Sequence, residues 1–484
     1  MIIAWLLLTP LIAALGCALC RNDKAGKFWL IAGALGHIAL CVMLISFPEG
    51  VHLNDSPVSF PGELHLSDKL VLKADLDGFL ILSVTSLIFL LCSVYMCFWL
   101  PLDAAYSDCR KGMKPYALIS CLFLFLFTMT LTALAQDFGM LWVAVEATTL
   151  ASAPLINYHR NKGSLEAMWK YLLICSIGIG LALFGTMLLA AAVNDPHCGL
   201  GFTELKQALA ENGNLIWIKI GFVFCFAGYA LKMGLAPFHT WMPDAYSESP
   251  SPVSALISGS LVNYALLAII RLLNAMPENL QDFACGYLKF FGFFSLAVAA
   301  FFILRQKDFK RMLAYSSVEH MGLIALLYAY GQEKWATIHI LCHSLLKMMM
   351  FLIAGNIVLA YRTRLVADVR GLFRRIPGSA ALWILGILLI CGTPPSPLFL
   401  TELNLVKAAG IVPGSVILLL LLVIFAGMSR TALNMAAPEA SMRDCGVDKK
   451  ADELAFVPGF SATLIVLAGL ALSAALMIGG VNIK

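Results

Sequence analysis

Charge is what this sequence has least of. Only 13% of its 484 residues are Asp, Glu, Lys or Arg, while 60% are hydrophobic; soluble domains carry about a quarter charged and about half apolar residues. That scarcity excludes an ordinary water-soluble chain. The net charge is only +4, and the basic residues gather in short segments between apolar runs. They therefore read as signals of membrane topology, not as a nucleic-acid surface. A dinucleotide-binding glycine fingerprint, a phosphate-binding P-loop and an HExxH pair are all missing, so neither a redox cofactor nor a nucleotide is expected in this chain. No catalytic centre of its own is expected either. Paired cysteines are almost lacking: the fourteen cysteines stand mostly alone inside apolar runs, where a small buried hydrophobe is the ordinary role. Cys17 and Cys20 form a CxxC with no second pair nearby, a weak signature for zinc or an iron–sulfur cluster.

What the sequence has in abundance is long apolar runs. A span needs about 20 residues, and such runs recur at 2–20, 28–47, 76–100, 116–135, 138–158, 167–193, 215–242, 250–275, 285–304, 312–330, 335–360, 380–410, 414–433 and 458–480. The expected fold is an all-α polytopic membrane protein with about fourteen transmembrane helices. The first run has no basic residue ahead of it and Arg21, Lys24 and Lys27 behind it, opposite to a cleavable signal peptide, so it reads as a retained helix. Loops after odd-numbered runs hold twenty Lys and Arg, whereas those after even-numbered runs, with the C-terminus, hold Lys69, Lys73, Lys206, Lys334 and Lys484. The positive-inside rule puts the odd loops in the cytoplasm and both termini outside it, with a small hairpin expected within the long extracytoplasmic loop 48–75.

Two of the runs are interrupted. Lys232 is followed by Gly234 and Pro237, and the apolar and aromatic residues continue past them through His239 and Trp241. A glycine and a proline cannot propagate a helix there, and a lysine at bilayer depth costs about 2.5–3.5 kcal/mol unless it faces a partner or a cavity. The competing reading is a lysine snorkelling from a helix end. The run 380–410 is broken in the same way at Pro394 and Pro395, ahead of Glu402. Interrupted helices at corresponding places in two halves mark an inverted repeat with its site near the midplane. The offsets agree: 170 residues from Lys232 to Glu402, 174 from Glu146 to His320, and 177 from Lys170 to Lys347. The chain then divides into helices 1–115, a first five-helix repeat at 116–275, a second at 276–433, and a cytoplasmic loop with the final helix at 434–484, each repeat containing one broken helix.

The buried polar residues carry the chemistry. Glu146 lies well inside its run with no charged neighbour in the span; Lys232 is its candidate partner, since a nearby ammonium keeps a desolvated carboxylate ionised. A purely structural ion pair is the alternative. Lys170 is a pathway candidate that could equally snorkel. His339, His343 and Lys347 recur at i, i+4 and i+8 and share a helix face. A protonatable file is favoured for them over a metal site or simple packing, because no carboxylate or cysteine joins them in sequence. Glu319 and His320 are adjacent and point about 100° apart; His320 is preferred for its offset from Glu146. Arg271 suits a structural contact at the membrane edge. Titratable stepping stones of this kind move protons.

At these residues the sequence resembles the antiporter-like subunits shared by respiratory complex I, multisubunit sodium/proton antiporters and membrane-bound nickel–iron hydrogenases. The resemblance rests on Lys232 through Ala245, Pro250 through Leu256, Asp308 through Gly322 and His343 through Lys347, and extends over about 100–430. Within that family the stretches around Glu146, Pro250 and Asp308 look most like hydrogenase-4 component F of formate hydrogenlyase-type complexes. The resemblance implies a proton-translocating subunit of a complex I-related redox complex in the cell inner membrane, with Glu146 as the fifth-helix glutamate, Lys232 as the seventh-helix lysine and Glu402 as the charge of the broken twelfth helix. It also implies other integral membrane subunits and a peripheral hydrogenase arm as partners, which would hold the nickel–iron and iron–sulfur centres. Relatives usually place a lysine on the eighth helix, eight residues before an arginine; counting back from Arg271, that position is Asn263. The long lateral helix of the distal complex I subunit is not expected, because the last run ends four residues before the sequence does. The alternatives are a subunit of a secondary cation/proton antiporter or of an inorganic-carbon uptake system on the same fold, and a structural scaffold whose channel is inactive.

Overall fold

A computed structural model describes residues 2–46, 63–65, 71–106, 112–193, 199–438 and 450–479. The helices are α1 (Ile2–Cys20), α2 (Asp23–Ser46), α3 (Leu76–Tyr106), α4 (Pro115–Leu134), α5 (Phe138–Ile156), α6 (Lys162–Ala192), α7 (Phe202–Asn212), α8 (Leu215–Met233), α9 (Trp241–Glu248), α10 (Ser251–Leu256), α11 (Val262–Ala275), α12 (Gln281–Ile303), α13 (Phe309–Ala329), α14 (Glu333–Tyr361), α15 (Leu372–Arg375), α16 (Pro377–Ile390), α17 (Pro397–Ala409), α18 (Ile411–Ala436), α19 (Lys450–Glu453) and α20 (Phe456–Gly479). Among the described residues, 13 helical segments are long and apolar enough to cross a membrane, with Pro377–Ile390 a shorter apolar helix. The multi-pass architecture follows directly. The expected span at 380–410 is divided into pieces of 14 and 13 residues by its break. The expected span at 250–275 contains a π-helical turn at Ile257–Leu261, which spacing alone did not reveal.

Local chemistry fixes where these helices begin. The Asp137 carboxylate accepts from Gly139 N and Met140 N at the start of α5, Asn161 and Ser164 form a capping box on α6, and Asp308 accepts from Lys310 N and Arg311 N on α13. Each satisfies amide donors that a helix start leaves without intrahelical partners. Proline occupies the first turn of α4, α10, α16 and α17, where its missing N–H costs nothing.

The chain forms two compact units: Met1–Ser93, Cys109–Gly234 and Ser260–Ala284 make the first, and Val94–Asp108, Leu235–Gly259 and Cys285–Lys484 the second. In the first, α6 and α8 pack backbone to backbone. A Cβ on Gly185 would lie 2.7 Å from Gly221 O, and one on Gly228 would lie 2.7 Å from Ala182 N, so small residues there permit the approach, as in other membrane helix pairs. Part of the hairpin expected at 48–75 is present as β1 (Leu64–His65) and β2 (Val71–Leu72), antiparallel with Leu64 opposite Leu72. Residues 48–62 and 66–70 of that loop, both chain ends and the basic residues Lys69, Arg110, Lys111, Arg443 and Lys449 lie outside the described residues.

Both expected interruptions are present. α8 stops at Gly234, whose φ of 85° a side chain would strain, and the Ala236–Pro237 peptide is cis. α16 stops before Gly392 with φ 64°, and Pro394–Pro395 is cis. At this second break hydroxyls add to the backbone amides of Thr393 and Gly392, which donate to Leu388 O at 3.2 Å and Leu389 O at 3.3 Å. Thr393 Oγ1 donates to Leu388 O at 2.7 Å and Ser396 Oγ to Leu389 O at 2.8 Å. With both kinds of donor in place the carbonyls at the break stay satisfied, as non-helical backbone at membrane depth requires.

Candidate functional site

In the first unit the site is built on α5, α6 and α8. Lys232, 1% exposed, lies in the last turn of α8. Its Nζ donates to Thr149 Oγ1 and, at 3.3 Å, to Tyr171 OH, and lies 5.3 Å from the centre of the Tyr171 ring. Glu146 sits one turn before Thr149 on α5. Its carboxylate accepts from Thr149 Oγ1 at 3.4 Å and from Ser176 Oγ of α6 at 2.7 Å. The direct Glu146–Lys232 ion pair expected from sequence therefore does not form. Because Glu146 and Thr149 are i and i+3, the threonine hydroxyl stands between the carboxylate and the ammonium. Ser152 Oγ extends the cluster, 2.7 Å from Tyr171 OH.

Lys170 is not brought into this cluster. Its ammonium is 46% exposed and pairs with Glu166 at 2.7 Å across one helical turn. Its neighbour Tyr171 faces inward instead, since adjacent helix residues point about 100° apart. Arg271 on α11 closes a structural contact: it donates to Thr132 O at 2.9 Å and Ala133 O at 2.6 Å, and pairs with Asp75 at 2.8 Å. It thereby satisfies carbonyls at the end of α4. Asn263 on the same helix is buried.

In the second unit α13, α14 and α17 bring together a file of imidazoles. His320, His339 and His343 are all fully buried. His320 Nδ1 lies 3.0 Å from His339 Nε2, and His339 Nδ1 lies 2.8 Å from Thr401 Oγ1. The His343 ring centre is 5.0 Å from that of His320. Thr401 Oγ1 is 2.7 Å from Leu398 O, to which it donates, and this fixes one direction for the whole chain. His339 Nδ1–H then donates to Thr401, His320 Nδ1–H donates to His339 Nε2, and His320 Nε2 keeps its lone pair. Rotation of one hydroxyl allows the opposite direction. A hydrogen-bonded file with two polarities can accept a proton at one end and release another at the far end.

One face of α14 continues to Lys347, whose Nζ donates to Leu313 O at 2.8 Å and to Ser316 Oγ. Glu319 is 2% exposed and lies within electrostatic reach of Lys347. The adjacent residues Glu319 and His320 thus serve different partners, where sequence reasoning retained only the histidine. Glu402, 8% exposed, packs against Gly392 at the second break, where any side chain would overlap its carboxylate. Oε1 of that carboxylate has no hydrogen-bond partner among the described residues. His239 packs its ring 5.8 Å from that of Tyr315 and makes no hydrogen bond or ring contact with the imidazole file. Among the described residues, no group of three or more His, Cys, Asp or Glu is arranged as a metal site.

Residues 135–429 match the family described as NADH:quinone oxidoreductase/Mrp antiporter, transmembrane. The chain belongs to this family. The matched segment includes Glu146, Lys232, the imidazole file, Lys347 and Glu402. Among relatives, a hydrogenase-4 component F homolog of Methylacidiphilum infernorum is 37% identical over 294 residues, 59% of this chain and 61% of that protein. NADH-quinone oxidoreductase subunit N of Maricaulis maris is 28% identical over 74% of this chain and 70% of its own length. The match thus spans about three fifths of the length of the first of these relatives. Among solved structures, a chain of the membrane-bound sulfane sulfur reductase, an archaeal respiratory membrane complex, superposes with a TM-score of 0.83 at 22% identity, covering 98% of this chain and 95% of that one. A chain of the Mrp complex from Dietzia gives 0.82 at 18% identity, with the same coverage. A chain of complex I from Thermus thermophilus gives 0.72 at 21%, covering 98% of both. At these identities the likeness establishes the fold. The relatives are named as components of multisubunit membrane complexes, several of them oxidoreductases.

Sequence reasoning missed the hydroxyl partners of this family member's titratable groups, Thr149, Tyr171, Ser176, Ser316 and Thr401. Thr149 and Thr401 were within reach of it: Thr149 stands at helical spacing from the part-buried Glu146 and Thr401 beside the buried Glu402, where an apolar residue would serve packing better.

Proposed function

We propose that this chain is the proton-translocating subunit of a hydrogenase-4, formate hydrogenlyase-type complex, coupling electron transfer in partner subunits to proton movement through its own buried files. The observation that carries the reading is the Glu146–Thr149–Lys232 arrangement at an interrupted helix: a carboxylate and an ammonium held one hydroxyl apart, with Lys232 almost fully buried. In this reading Lys232 and Lys347 are the proton-holding sites, and Thr149 and the imidazoles are the connecting groups. Glu402 at the second break is a terminal acceptor. Residues 116–275 and 276–433 act as two inverted repeats, each with one interrupted helix, flanked by 1–115 and 434–484. The nickel–iron and iron–sulfur centres belong to a peripheral hydrogenase arm, other integral subunits complete the membrane part, and the whole sits in the cell inner membrane with both termini of this chain outside the cytoplasm. The 37% identity to a hydrogenase-4 component F homolog supports this choice of complex.

The test is Lys232→Met and Glu146→Gln in the assembled complex. Both should abolish or strongly reduce proton translocation into vesicles while the subunits still copurify. Wild-type translocation by both variants would overturn the proposal. A second reading, a subunit of a cation/proton antiporter, is supported by the fold likeness to the Mrp complex. Copurification separates them: nickel and iron with a hydrogenase large subunit support the first, and small membrane subunits without redox metals support the second.

A further inference from the structure

Three membrane helices end around a pocket in the second unit. α14 stops at Tyr361, α18 stops at Ala436 and α16 begins at Pro377. Between these ends a cavity of about 170 Å³ is lined by Arg370, Phe373, Arg374, Arg375, Ala436 and Pro438. Three arginines and no acidic residue stand among its described lining residues. Arg370 is anchored by a 2.6 Å hydrogen bond to Asn434 O, and Arg375 lies 4.9 Å over the Tyr361 ring. Arg374 is exposed, and its side chain has no ion-pair partner among the described residues. Phe373, 50% exposed, lies between these arginines in sequence. The chain turns there through Gly371 at φ 66°, with its N–H on Ala437 O at 2.9 Å.

We infer that this pocket binds the phosphate of an anionic phospholipid headgroup. A planar guanidinium matches phosphate oxygens in a forked geometry, and basic pockets between helix ends are where lipid headgroups bind. Two features favour a lipid over a free anion or an acidic protein segment. The pocket lies where three apolar helices end, beside a tyrosine of the type that marks membrane interfaces, and Phe373 offers an apolar surface next to the charges. By the distribution of Lys and Arg this is the cytoplasmic side, where anionic lipids give the leaflet its negative surface potential. The inference is independent of which ion, if any, the buried files move.

The test uses the whole chain in phosphatidylcholine nanodiscs doped with phosphatidylglycerol, with bound lipid counted by native mass spectrometry. Arg374→Gln and Arg375→Gln should each weaken phosphatidylglycerol retention about five-fold and the double variant about 25-fold, the effect expected of one and two basic side chains near a membrane surface. Arg305→Gln, at a basic side chain that packs over Phe301 instead, should change nothing. Arg374 is exposed, so Arg374→Gln should leave the unfolding temperature unaltered and keeps the test open if Arg375→Gln misfolds. Unchanged retention in Arg374→Gln would overturn the inference. So would competition by inorganic phosphate as strong as by the lipid, which would mark a free-anion site. Loss of a partner subunit on copurification with lipid retention intact would equally overturn it, in favour of a protein surface.

Discussion

Thr149→Val is the sharpest probe of the first unit. The substitution keeps the branched shape and removes only the hydroxyl that receives Lys232 Nζ and donates to Glu146. Lys232 is then left with Tyr171 OH at 3.3 Å, and Glu146 with Ser176 Oγ at 2.7 Å, so the link between carboxylate and ammonium is cut. A hydrogen bond to a charged group is worth about 1.5–3 kcal/mol, and each 1.4 kcal/mol is a factor of ten in rate, so proton transfer through this step should slow about ten- to hundred-fold. The assay is acidification of liposomes containing the purified complex, read with an internal pH dye, while electron transfer is followed separately. Thr149→Ser, which keeps the oxygen, should keep most of the flux. Wild-type flux in Thr149→Val would refute the hydroxyl link. A loss in Thr149→Ser as large as in Thr149→Val would show that the methyl group, and so packing, is what matters.

Three further substitutions separate buried machinery from its surroundings. Gly392→Ala forces a side chain into a left-handed backbone position, at about 1–2 kcal/mol, and into the Glu402 carboxylate; flux should fall toward that of Glu402→Gln while the complex still assembles, and undiminished flux would separate Gly392 from Glu402. Lys170→Gln removes an exposed i,i+4 pair worth about 0.3–0.5 kcal/mol, so neither flux nor melting temperature should move; a flux loss would restore Lys170 to the pathway. Arg271→Met leaves two buried carbonyls without donors, at about 1–3 kcal/mol, while Asp75, 36% exposed, is left to solvent; the change should show as a lowered melting temperature or less assembled protein in a thermal or expression assay.

Much of the fold was legible because hydrocarbon imposes one strong rule: each span must be apolar and about 20 residues long. The two breaks were legible for the complementary reason, since glycine and proline beside a buried charge have no other use at that depth. What sequence could not give was azimuth. Lys170 and Tyr171 are neighbours, and the charged one was taken as the inward residue, yet the tyrosine meets Lys232 and the lysine meets Glu166. Glu319 and His320 pose the same problem, and both proved buried. A helix that is apolar nearly all round carries too little amphipathic signal to say which of two adjacent polar residues faces the protein. The π-turn at 257–261 has no sequence signature of its own, and it shifts the azimuth of every residue that follows it on that helix.

The hydroxyl between Glu146 and Lys232 also explains why a direct ion pair would serve translocation poorly. Opposite unit charges 4 Å apart attract by about 4 kcal/mol at an effective dielectric of 20, and the attraction halves when their separation doubles. A contact pair would hold both groups ionised and make the ammonium proton slow to leave; a group in between weakens that hold while keeping a hydrogen-bonded connection. Threonine suits the place because its hydroxyl can donate and accept at once, which neither valine nor lysine can do. The same logic applies at the imidazole file, which ends on Thr401. There the hydroxyl, by choosing Leu398 O or His339 Nδ1 as its acceptor, sets the polarity of the two histidines behind it. In the first unit an orienting hydroxyl separates the two groups that carry charge, and in the second it terminates the imidazole file; replacing either should therefore cost flux while the charged groups keep their other partners.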